Sequence, residues 1–452
     1  MRLSERGRGG MGEGVLTVTE AGRSNFDRRA LFDDGGLGRR DGALMMGGVR
    51  LTDIAEQVGT PTFVYNADSI RARYRALDAA LAPMPHRICF AVKANSNLAV
   101  LRVLRDLGAG ADIVSVGELR RALAAGFDAA SIVFSGVGKT VGELETAAAL
   151  GVGHINVESI EELDLLMQVA SKAPNRIEVG IRVNPAVTAD THPYISTGQG
   201  GIKFGVPTDR VLEAARRISE HPHLELGVLA MHLGSQLLDP RPYREGIERL
   251  LGLLAQIRAA GIGSIRALDI GGGLGIRYRD EAPLSPEQLA EVITPLLGPT
   301  GLRILLEPGR YLVGSAGVLL TSVLYRKHSG GKEFMIVDAG MNDLVRPSHY
   351  QAYHDIVELE ERGRPESTVD VVGPVCETGD FMALGRSLPG LVAGEHLALL
   401  GAGAYGFVMS SNYNSRGRAA EVLVDGARWA TVRPRETAEE LYRSEIAAPF
   451  PQ

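Results

Sequence analysis

The sequence predicts an α/β fold: a (β/α)8 TIM barrel followed by a mostly antiparallel C-terminal β domain, a sandwich or Greek-key barrel. Three observations support this prediction. Eight short apolar, β-branched runs alternate with amphipathic stretches at three- and four-residue spacing. Each apolar run ends in a small or polar residue. After Arg310, short β-rich runs are bounded by Gly, Pro, Asn and Asp, and helical patterns are scarce before Glu436.

Composition limits the class of protein. The chain has 452 residues, of which 45% are hydrophobic and 23% charged, with a net charge of −6. These values are typical of a globular protein and exclude wholesale disorder. The chain lacks a long Lys/Arg run, an apolar run of about 18–20 residues and an apolar signal core near its start. We therefore expect a soluble cytoplasmic protein that binds neither nucleic acid nor membranes.

The chain divides into four predicted parts. Residues 1–48, rich in Gly and Arg, are expected to be a flexible tail, with a short strand near Val15–Thr19. Residues 49–65 are expected to join the β domain through the strand-like runs Gly48–Leu51, which begins one residue earlier, and Thr62–Tyr65. Residues 66–310 would form the barrel and residues 311–452 the β domain.

The barrel strands are predicted from the apolar runs. In chain order these runs are Ile88–Val92, Ala111–Val114, Ile132–Phe134, His154–Val157, Ile177–Val183, Leu226–Met231, Ile265–Ile270 and Arg303–Leu306. Barrel enzymes build their sites where the carboxyl ends of the strands meet. The residues at these ends are Lys93, Ser115, Ser135, Glu158, Asn184, His232, Gly271 and Glu307.

The β domain is predicted from four β-rich runs that follow the barrel: Val313–Tyr325, Glu333–Val337, Val369–Val372 and Glu395–Leu400. With only two cysteines the chain cannot form a disulfide framework. Cys89 lies in an apolar run and is expected to be buried, whereas Cys376 lies in a polar, turn-like setting.

Lys93 is the first candidate catalytic residue. Desolvation at a barrel mouth lowers the pKa of an amine toward that of a usable nucleophile, and the chemistry this suggests is a Schiff base. An isolated lysine at a strand end is nevertheless more often a surface residue.

The last strands carry further candidates. The turn Gly271–Gly275 lets the backbone approach a phosphate, and such barrels commonly bind phosphate after strands seven and eight. In Glu307-Pro308-Gly309-Arg310 a carboxylate and a guanidinium could serve a ring nitrogen and an anion, or form a structural ion pair. His232 alone is more often a core histidine, but its flat ring could stack on a flat cofactor.

Together these groups describe a site for pyridoxal phosphate. A lysine would form the imine, the glycines would hold the phosphate, a carboxylate would face the ring nitrogen, and a flat ring would stack on the cofactor. His and Cys residues do not show the clustered spacing of metal ligands, so no metal is expected.

The motifs also resemble a known family. Phe90–Asn95, His232–Gln236, Gly271–Gly275, Glu307–Arg310 and Cys376–Asp380 are similar to the motifs of the barrel-type (fold type III) pyridoxal phosphate decarboxylases. His192–Gly198, Lys203–Gly205 and Arg346–Tyr350 resemble the diaminopimelate decarboxylases among them. The resemblance extends from about Val49 to Glu445, with Thr378 where Ser is more usual.

This resemblance implies a function and residue roles. The expected reaction is decarboxylation of meso-2,6-diaminopimelate to L-lysine and CO2, the last step of bacterial lysine synthesis. The catalytic residues would be Lys93, Cys376 and His232. The cofactor would be held by Lys93, His232, Ser235, Gly271, Gly272, Gly273, Glu307, Pro308, Gly309, Arg310 and Tyr405. The substrate would be held by Arg310, Arg346, Tyr350, Glu377 and Tyr405.

Substrate choice has an independent physical reason. Diaminopimelate has an amino-acid head at each end, and arginine reads a far carboxylate through bidentate, charge-assisted hydrogen bonds. The family further implies that Cys376 reprotonates the product carbon and that Cys376 and Glu377 come from the partner subunit of a homodimer.

Three alternatives remain open on the sequence. A related decarboxylase acting on arginine or ornithine would share most motifs, but Arg346–Tyr350 argues against it. An alanine-racemase-like enzyme does not suit Cys376–Asp380. A non-catalytic pyridoxal phosphate carrier would resemble the barrel alone.

Overall fold

The computed structural model describes residues 28–187 and 203–446. Its strands are β1 (Leu37–Arg40), β2 (Ala43–Met46), β3 (Val49–Arg50), β4 (Thr62–Asn66), β5 (His86–Ala91), β6 (Gly110–Ile113), β7 (Ile132–Phe134), β8 (His154–Val157), β9 (Ile177–Asn184), β10 (Val206–Pro207), β11 (Leu224–Met231), β12 (Ala267–Asp269), β13 (Arg303–Leu306), β14 (Gly317–Ser329), β15 (Lys332–Val337), β16 (Ile356–Glu358), β17 (Glu366–Val372), β18 (Phe381–Pro389), β19 (His396–Leu399), β20 (Ala420–Asp425) and β21 (Arg428–Arg433). Its α-helices are α1 (Arg28–Gly35), α2 (Leu51–Val58), α3 (Ala67–Leu81), α4 (Leu98–Asp106), α5 (Val116–Ala125), α6 (Val141–Leu150), α7 (Ile160–Ala170), α8 (Val211–Glu220), α9 (Arg241–Ala259), α10 (Pro286–Leu297), α11 (Arg310–Val313), α12 (Arg346–Tyr350) and α13 (Ala438–Ile446). Among these residues, no helix has the length and apolar character that a membrane crossing requires.

Eight parallel strands close into a barrel, which confirms the predicted fold. The order around the ring is β5-β6-β7-β8-β9-β11-β12-β13, and the pairing of Ile304 with His86 joins the last strand to the first. Each of the eight predicted apolar runs overlaps one of these strands. The strands are buried on both faces because α-helices cover the outside, which explains why they read as continuous apolar runs.

Local signals fix the ends of the barrel helices. Helix α6, for example, begins at a capping box in which Thr140 and Glu143 each accept a hydrogen bond from the other's backbone N–H. It ends at Gly151, which adopts the left-handed conformation that favours glycine. Caps of this kind end each helix at a defined residue, after which the chain turns toward the next strand.

The second domain is mostly antiparallel, as predicted. Its nine strands run in the order β18-β17-β15-β14-β4-β20-β21, with β19 bridging β14 and β16. Only the β15–β17 and β4–β20 pairs are parallel among the described strands of this sheet. Strand β14 starts at Gly317 rather than Val313, because residues 310–313 form the one-turn helix α11.

One strand of this sheet comes from before the barrel. Strand β4 at Thr62–Asn66 is hydrogen-bonded to β14 on one side and β20 on the other. The barrel is therefore inserted between two neighbouring strands of the β domain. This arrangement places the carboxyl ends of the barrel strands beside loops of the β domain.

The prediction of a flexible tail is wrong for residues 28–48, the part of it that the structure describes. Helix α1 and the hairpin β1–β2 pack on the β domain, and Leu44 and Met46 are fully buried. Asp41 and Gly42 both have positive φ, as a two-residue hairpin turn requires. The Asp41-Gly42 pair was the sequence signal that could have predicted this hairpin. The strand expected near Val15–Thr19 lies outside the described residues.

Candidate active site

Lys93 extends from the end of the first barrel strand. It lies in the single 3-10 turn Val92–Ala94 that follows β5, and its side chain is 34% exposed. Its Nζ forms an ion pair with Asp112, which is fully buried in β6. Burial alone would lower the pKa of Lys93, but the nearby carboxylates of Asp112 and Glu307 raise it above its usual value. The amine is therefore held as a cation among acidic side chains.

A buried group of acids lies beside this lysine, on β6, on β12 and at the end of β13. Glu307 follows β13, and burial together with the carboxylates of Asp112 and Asp269 holds its pKa well above the usual range. Burial likewise raises the pKa of Asp269 to about 6. A second cation near Glu307 would stabilise this cluster, because a nearby positive charge favours the ionised form of the carboxyl group.

His232 and the glycine turn form one wall of the site. The Nδ1 atom of His232 accepts a hydrogen bond of 3.1 Å from the backbone N–H of Gly272, which fixes the plane of the ring. Burial and the positive charges of Arg182 and Lys93 lower the pKa of His232 far below its usual value. The ring is therefore neutral at neutral pH.

The turn has no room for larger residues. A Cβ atom on Gly272 would lie 2.3 Å from the carbonyl oxygen of Glu307. Gly271 and Gly273 have φ values of +71° and +110°, which side chains disfavour. The N–H of Gly271 donates to Asp269 and that of Gly272 to His232, so these two donors are engaged within the protein.

These groups surround one cavity. It measures about 450 Å³, a size suited to a small cofactor. Its lining residues are Lys93, Val114, Ser135, Gly136, Val137, Gly138, Glu143, Arg182, Phe204, His232 and Glu307. The structure thus brings together three residues that the sequence predicted: Lys93, His232 and Glu307.

A second, smaller cavity of about 170 Å³ contains the predicted arginines. Arg310 and Arg346 line it together with Tyr350, and both arginines are more than nine-tenths buried. Arg310 donates to Tyr278 Oη at 2.6 Å and to Ser235 Oγ at 3.1 Å. Among the described residues, no carboxylate forms an ion pair with either guanidinium. Glu281 also lines this cavity, but its carboxylate accepts hydrogen bonds from the backbone N–H groups of Tyr278 and Arg279. Two buried guanidinium groups without an ion-paired carboxylate favour the binding of an anion.

Tyr405 connects the two groups of residues. Its backbone N–H donates to Ala94 beside Lys93, at 2.8 Å. The guanidinium carbon of Arg310 lies over the Tyr405 ring, 4.9 Å from the ring centroid. A Cβ atom on Gly309 would be 3.4 Å from Tyr405 Oη, so the backbone of the Glu307–Arg310 loop passes close to the phenol.

Cys376 and Glu377 stand apart from these residues. Both side chains are exposed, and neither lines either of the two cavities. Their loop is held by Asp380, which accepts backbone hydrogen bonds of 2.6 Å from both Met341 and Val375. The structure of one chain therefore does not bring Cys376 and Glu377 to Lys93.

Four residues of the site escaped the sequence analysis. Asp112 and Asp269 are charged residues inside apolar strands, and that position was the signal that could have revealed them. Arg182, in β9, forms a 2.9 Å ion pair with Glu158. Tyr278 follows the glycine turn but gives no pattern of its own. The predicted motif His192–Gly198 lies outside the described residues.

Comparisons with known proteins agree with this geometry. The family model for the pyridoxal binding domain of the pyridoxal-dependent decarboxylases matches residues 67–314. Diaminopimelate decarboxylase from Pseudomonas aeruginosa is 53% identical over 410 residues, covering 91% of this chain and 98% of that protein. The chain belongs to the diaminopimelate decarboxylase family.

Solved structures of the family superpose over most of the chain. The Helicobacter pylori diaminopimelate decarboxylase complexed with L-lysine has a TM-score of 0.85 at 40% identity, covering 88% of this chain and 99% of that one. The M. jannaschii diaminopimelate decarboxylase, also in complex with L-lysine, has a TM-score of 0.87 at 33% identity, covering 91% of this chain and 98% of that one.

The cofactor of this family is pyridoxal phosphate, and the residues of the larger cavity fit it. The protonated ring nitrogen of the cofactor is a cation of the kind that the acid group around Glu307 requires. The amine of Lys93 lines the same cavity, and the close approach of Gly272 to the Glu307 backbone fixes the position of that carboxyl group.

Proposed function

We propose that this chain decarboxylates meso-2,6-diaminopimelate to L-lysine and CO2, with pyridoxal 5′-phosphate as its cofactor. The observation that carries the proposal is the pair of buried arginines, Arg310 and Arg346, which have no acidic partner among the described residues. A diamino acid with a bare ammonium at its far end would be repelled there. A substrate whose far end carries a carboxylate would supply the missing anion.

In this proposal the larger cavity holds the cofactor. Lys93 would hold the cofactor through its amine. Glu307 would face the ring nitrogen, where a cation beside it would lower its raised pKa. His232, neutral and fixed by Gly272, would stack on the ring. The remaining cofactor contacts would come from Ser235, Gly271, Gly272, Gly273, Pro308, Gly309, Arg310 and Tyr405.

The bound cofactor supplies an electron sink for the pair left behind when CO2 departs. The chain's own residues do the rest. Arg310, Arg346, Tyr350 and Tyr405 would hold the far end of the substrate so that the scissile carboxylate lies over the larger cavity. The apolar wall of that cavity, including Val114 and Phe204, would exclude water there.

We propose further that the active enzyme is a homodimer in the cytoplasm. Cys376 is exposed and lines neither cavity, so a second copy is needed to bring its thiol to the site. There Cys376 of the partner subunit would deliver the proton that replaces the departing carboxylate, and Glu377 would bind the far amino group.

CO2 release from meso-diaminopimelate tests the proposal, with ornithine and arginine as competing substrates. We expect release from diaminopimelate alone, with lysine as product. Arg346→Ala should raise KM for diaminopimelate by at least about tenfold, because a buried, charge-assisted contact is lost. Release from ornithine or arginine by the unmodified protein would contradict the proposed substrate.

A further inference from the structure

A fully buried histidine lies directly behind Arg346. His354 follows helix α12 in the chain and has no exposed surface. Its Nδ1 is 2.8 Å from the carbonyl oxygen of Leu400, and its Nε2 is 3.4 Å from Nε of Arg346. His354 therefore contacts the Nε atom of Arg346 and not the two terminal nitrogens of the guanidinium.

The hydrogen-bond pattern of this histidine follows from its partners. A carbonyl oxygen can only accept, so Nδ1 of His354 must carry the hydrogen. In the neutral ring the lone pair is then on Nε2, which accepts the Nε–H of Arg346. Burial and the nearby positive charges of Arg346 and Arg310 lower the pKa of His354 to about 3. Protonation therefore does not remove the acceptor at any pH near neutrality.

Tyr278 holds the same guanidinium from another side. Its ring centroid is 5.2 Å from the Arg346 guanidinium carbon. The Tyr278 ring also meets the His354 ring edge-on, with centroids 5.4 Å apart and planes at 78°. Two rigid rings thus define the plane and the direction of Arg346.

This geometry leaves one way for Arg346 to bind a carboxylate. A guanidinium can bind a carboxylate through Nε and one terminal nitrogen, or end-on through both terminal nitrogens. The Nε–H of Arg346 donates to His354, whereas neither terminal nitrogen of Arg346 donates a hydrogen bond to any other described residue. Only the end-on mode remains.

We infer that His354 is a positioning residue that orients Arg346 to bind the distal carboxylate of the substrate end-on. This inference rests on the function proposed above and adds a residue that acts through Arg346. Its benefit is preorganisation, because the guanidinium does not have to be ordered when the substrate arrives. The expected effect is on binding of the far carboxylate and not on the bond-breaking step.

The test uses two substitutions that each retain one half of the imidazole. In His354→Asn the amide N–H can still donate to Leu400, but no acceptor reaches Nε of Arg346. In His354→Gln the amide oxygen can reach the former Nε2 position. We expect His354→Asn to raise KM for diaminopimelate by about tenfold with kcat within about threefold of the original, and His354→Gln to recover most of the loss.

A pair of ligands separates orientation from general damage. Decarboxylation removes one carboxylate, so L-lysine retains the distal one, whereas cadaverine has none. His354→Asn should weaken inhibition by L-lysine about tenfold and leave inhibition by cadaverine unchanged. Equal weakening of both ligands, or no change for either, would overturn the inference.

Two controls complete the experiment. His154 is also buried, 5% exposed, but lies in β8 and lines neither candidate cavity, so His154→Asn should leave both KM and lysine inhibition unchanged. On an Arg346→Lys background, His354→Asn should add no further loss, because its partner atom is gone. Should His354→Asn fail to fold, a loss of lysine binding in His354→Gln as large as that of Arg346→Lys would overturn the inference.

The inference and the proposed function can fail separately. If the unmodified protein releases no CO2 from diaminopimelate, the proposed function is wrong. The binding ratio of lysine to cadaverine in His354→Asn would still report whether His354 orients Arg346.

Discussion

At the scale of single residues, close backbone approach limits which side chains the site can accept at Gly272. Gly272 lies between the carbonyl oxygen of Glu307 and the ring of His232, and an added methyl group would meet that oxygen at 2.3 Å. Real Cβ atoms do not approach an oxygen so closely, so either Glu307 or the turn must move. Both lie on the wall that we propose for the cofactor.

Gly272→Ala is therefore expected to lose the cofactor. The displacement of Glu307 or His232 should lower pyridoxal phosphate affinity by at least about tenfold, because stacking and charge contacts depend on sub-ångström placement. Absorbance of the imine during titration with cofactor measures this change.

A matched control exists in helix α6. Nothing lies within 4 Å of a Cβ on Gly142, so Gly142→Ala should keep full cofactor affinity and stabilise the fold by about 0.4–1 kcal/mol. Normal cofactor binding in Gly272→Ala would show that the wall is not used as we propose.

At the scale of elements, the sequence predicts strands and their ends better than it predicts which side chains contact each other. Apolar runs predicted all eight barrel strands, because burial on both faces leaves a continuous pattern. The ends of those runs identified Lys93, His232 and Glu307. His354 and Tyr278 could not be found in this way, since Tyr278 contacts Arg310 and His354 contacts Leu400, residues that are distant from them in the chain.

The turn after β15 contains a buried acid whose titration can be tested. Asp343 has no exposed surface, and its Oδ2 accepts the backbone N–H of Gly340 at 3.0 Å. Its Oδ1 has no hydrogen-bond partner among the described residues. Burial raises its pKa from 3.8 to about 6. The folded state thus binds this proton more tightly than the unfolded chain.

The sign of the pH effect follows. Stability is greatest when Asp343 is protonated and falls as the pH rises through the window from about 4 to 6, by about 3 kcal/mol in all. Asp343→Asn should remove this loss, so the variant should gain urea resistance relative to the original protein at pH 7 but not at pH 4. The exposed Asp209→Asn is the control. Equal urea midpoints for Asp343→Asn and the original protein at pH 7 would count against the assignment.

At the scale of the whole molecule, the two halves of the proposed reaction centre lie on different surfaces of one chain. The Lys93 cavity opens at the barrel mouth, and Cys376 is exposed on a loop of the β domain. If two copies complete each other's sites, one defective site per dimer should not abolish the other. Two different inactive subunits can restore one intact site in a hybrid dimer only when residues cross the interface.

Mixing two inactive variants tests the shared site. Lys93→Ala and Cys376→Ala should each be inactive alone. After co-expression, half of the dimers should be hybrids with one intact site, so activity should recover to about one quarter of the original. No recovery, with hybrid dimers shown to be present by differential tags, would place Lys93 and Cys376 of the same chain in one site.

The insertion of the barrel between β4 and β14 also has a consequence for synthesis on the ribosome. Strand β4 emerges early, but its neighbour β14 follows roughly 250 residues later and β20 later still. The barrel strands can pair with one another before β14 and β20, the two neighbours of β4, have been synthesised. An unpaired strand edge is the surface on which nascent chains associate wrongly. Both edges of β4 therefore lack their strand partners until β14 and β20 have been synthesised and the β domain closes.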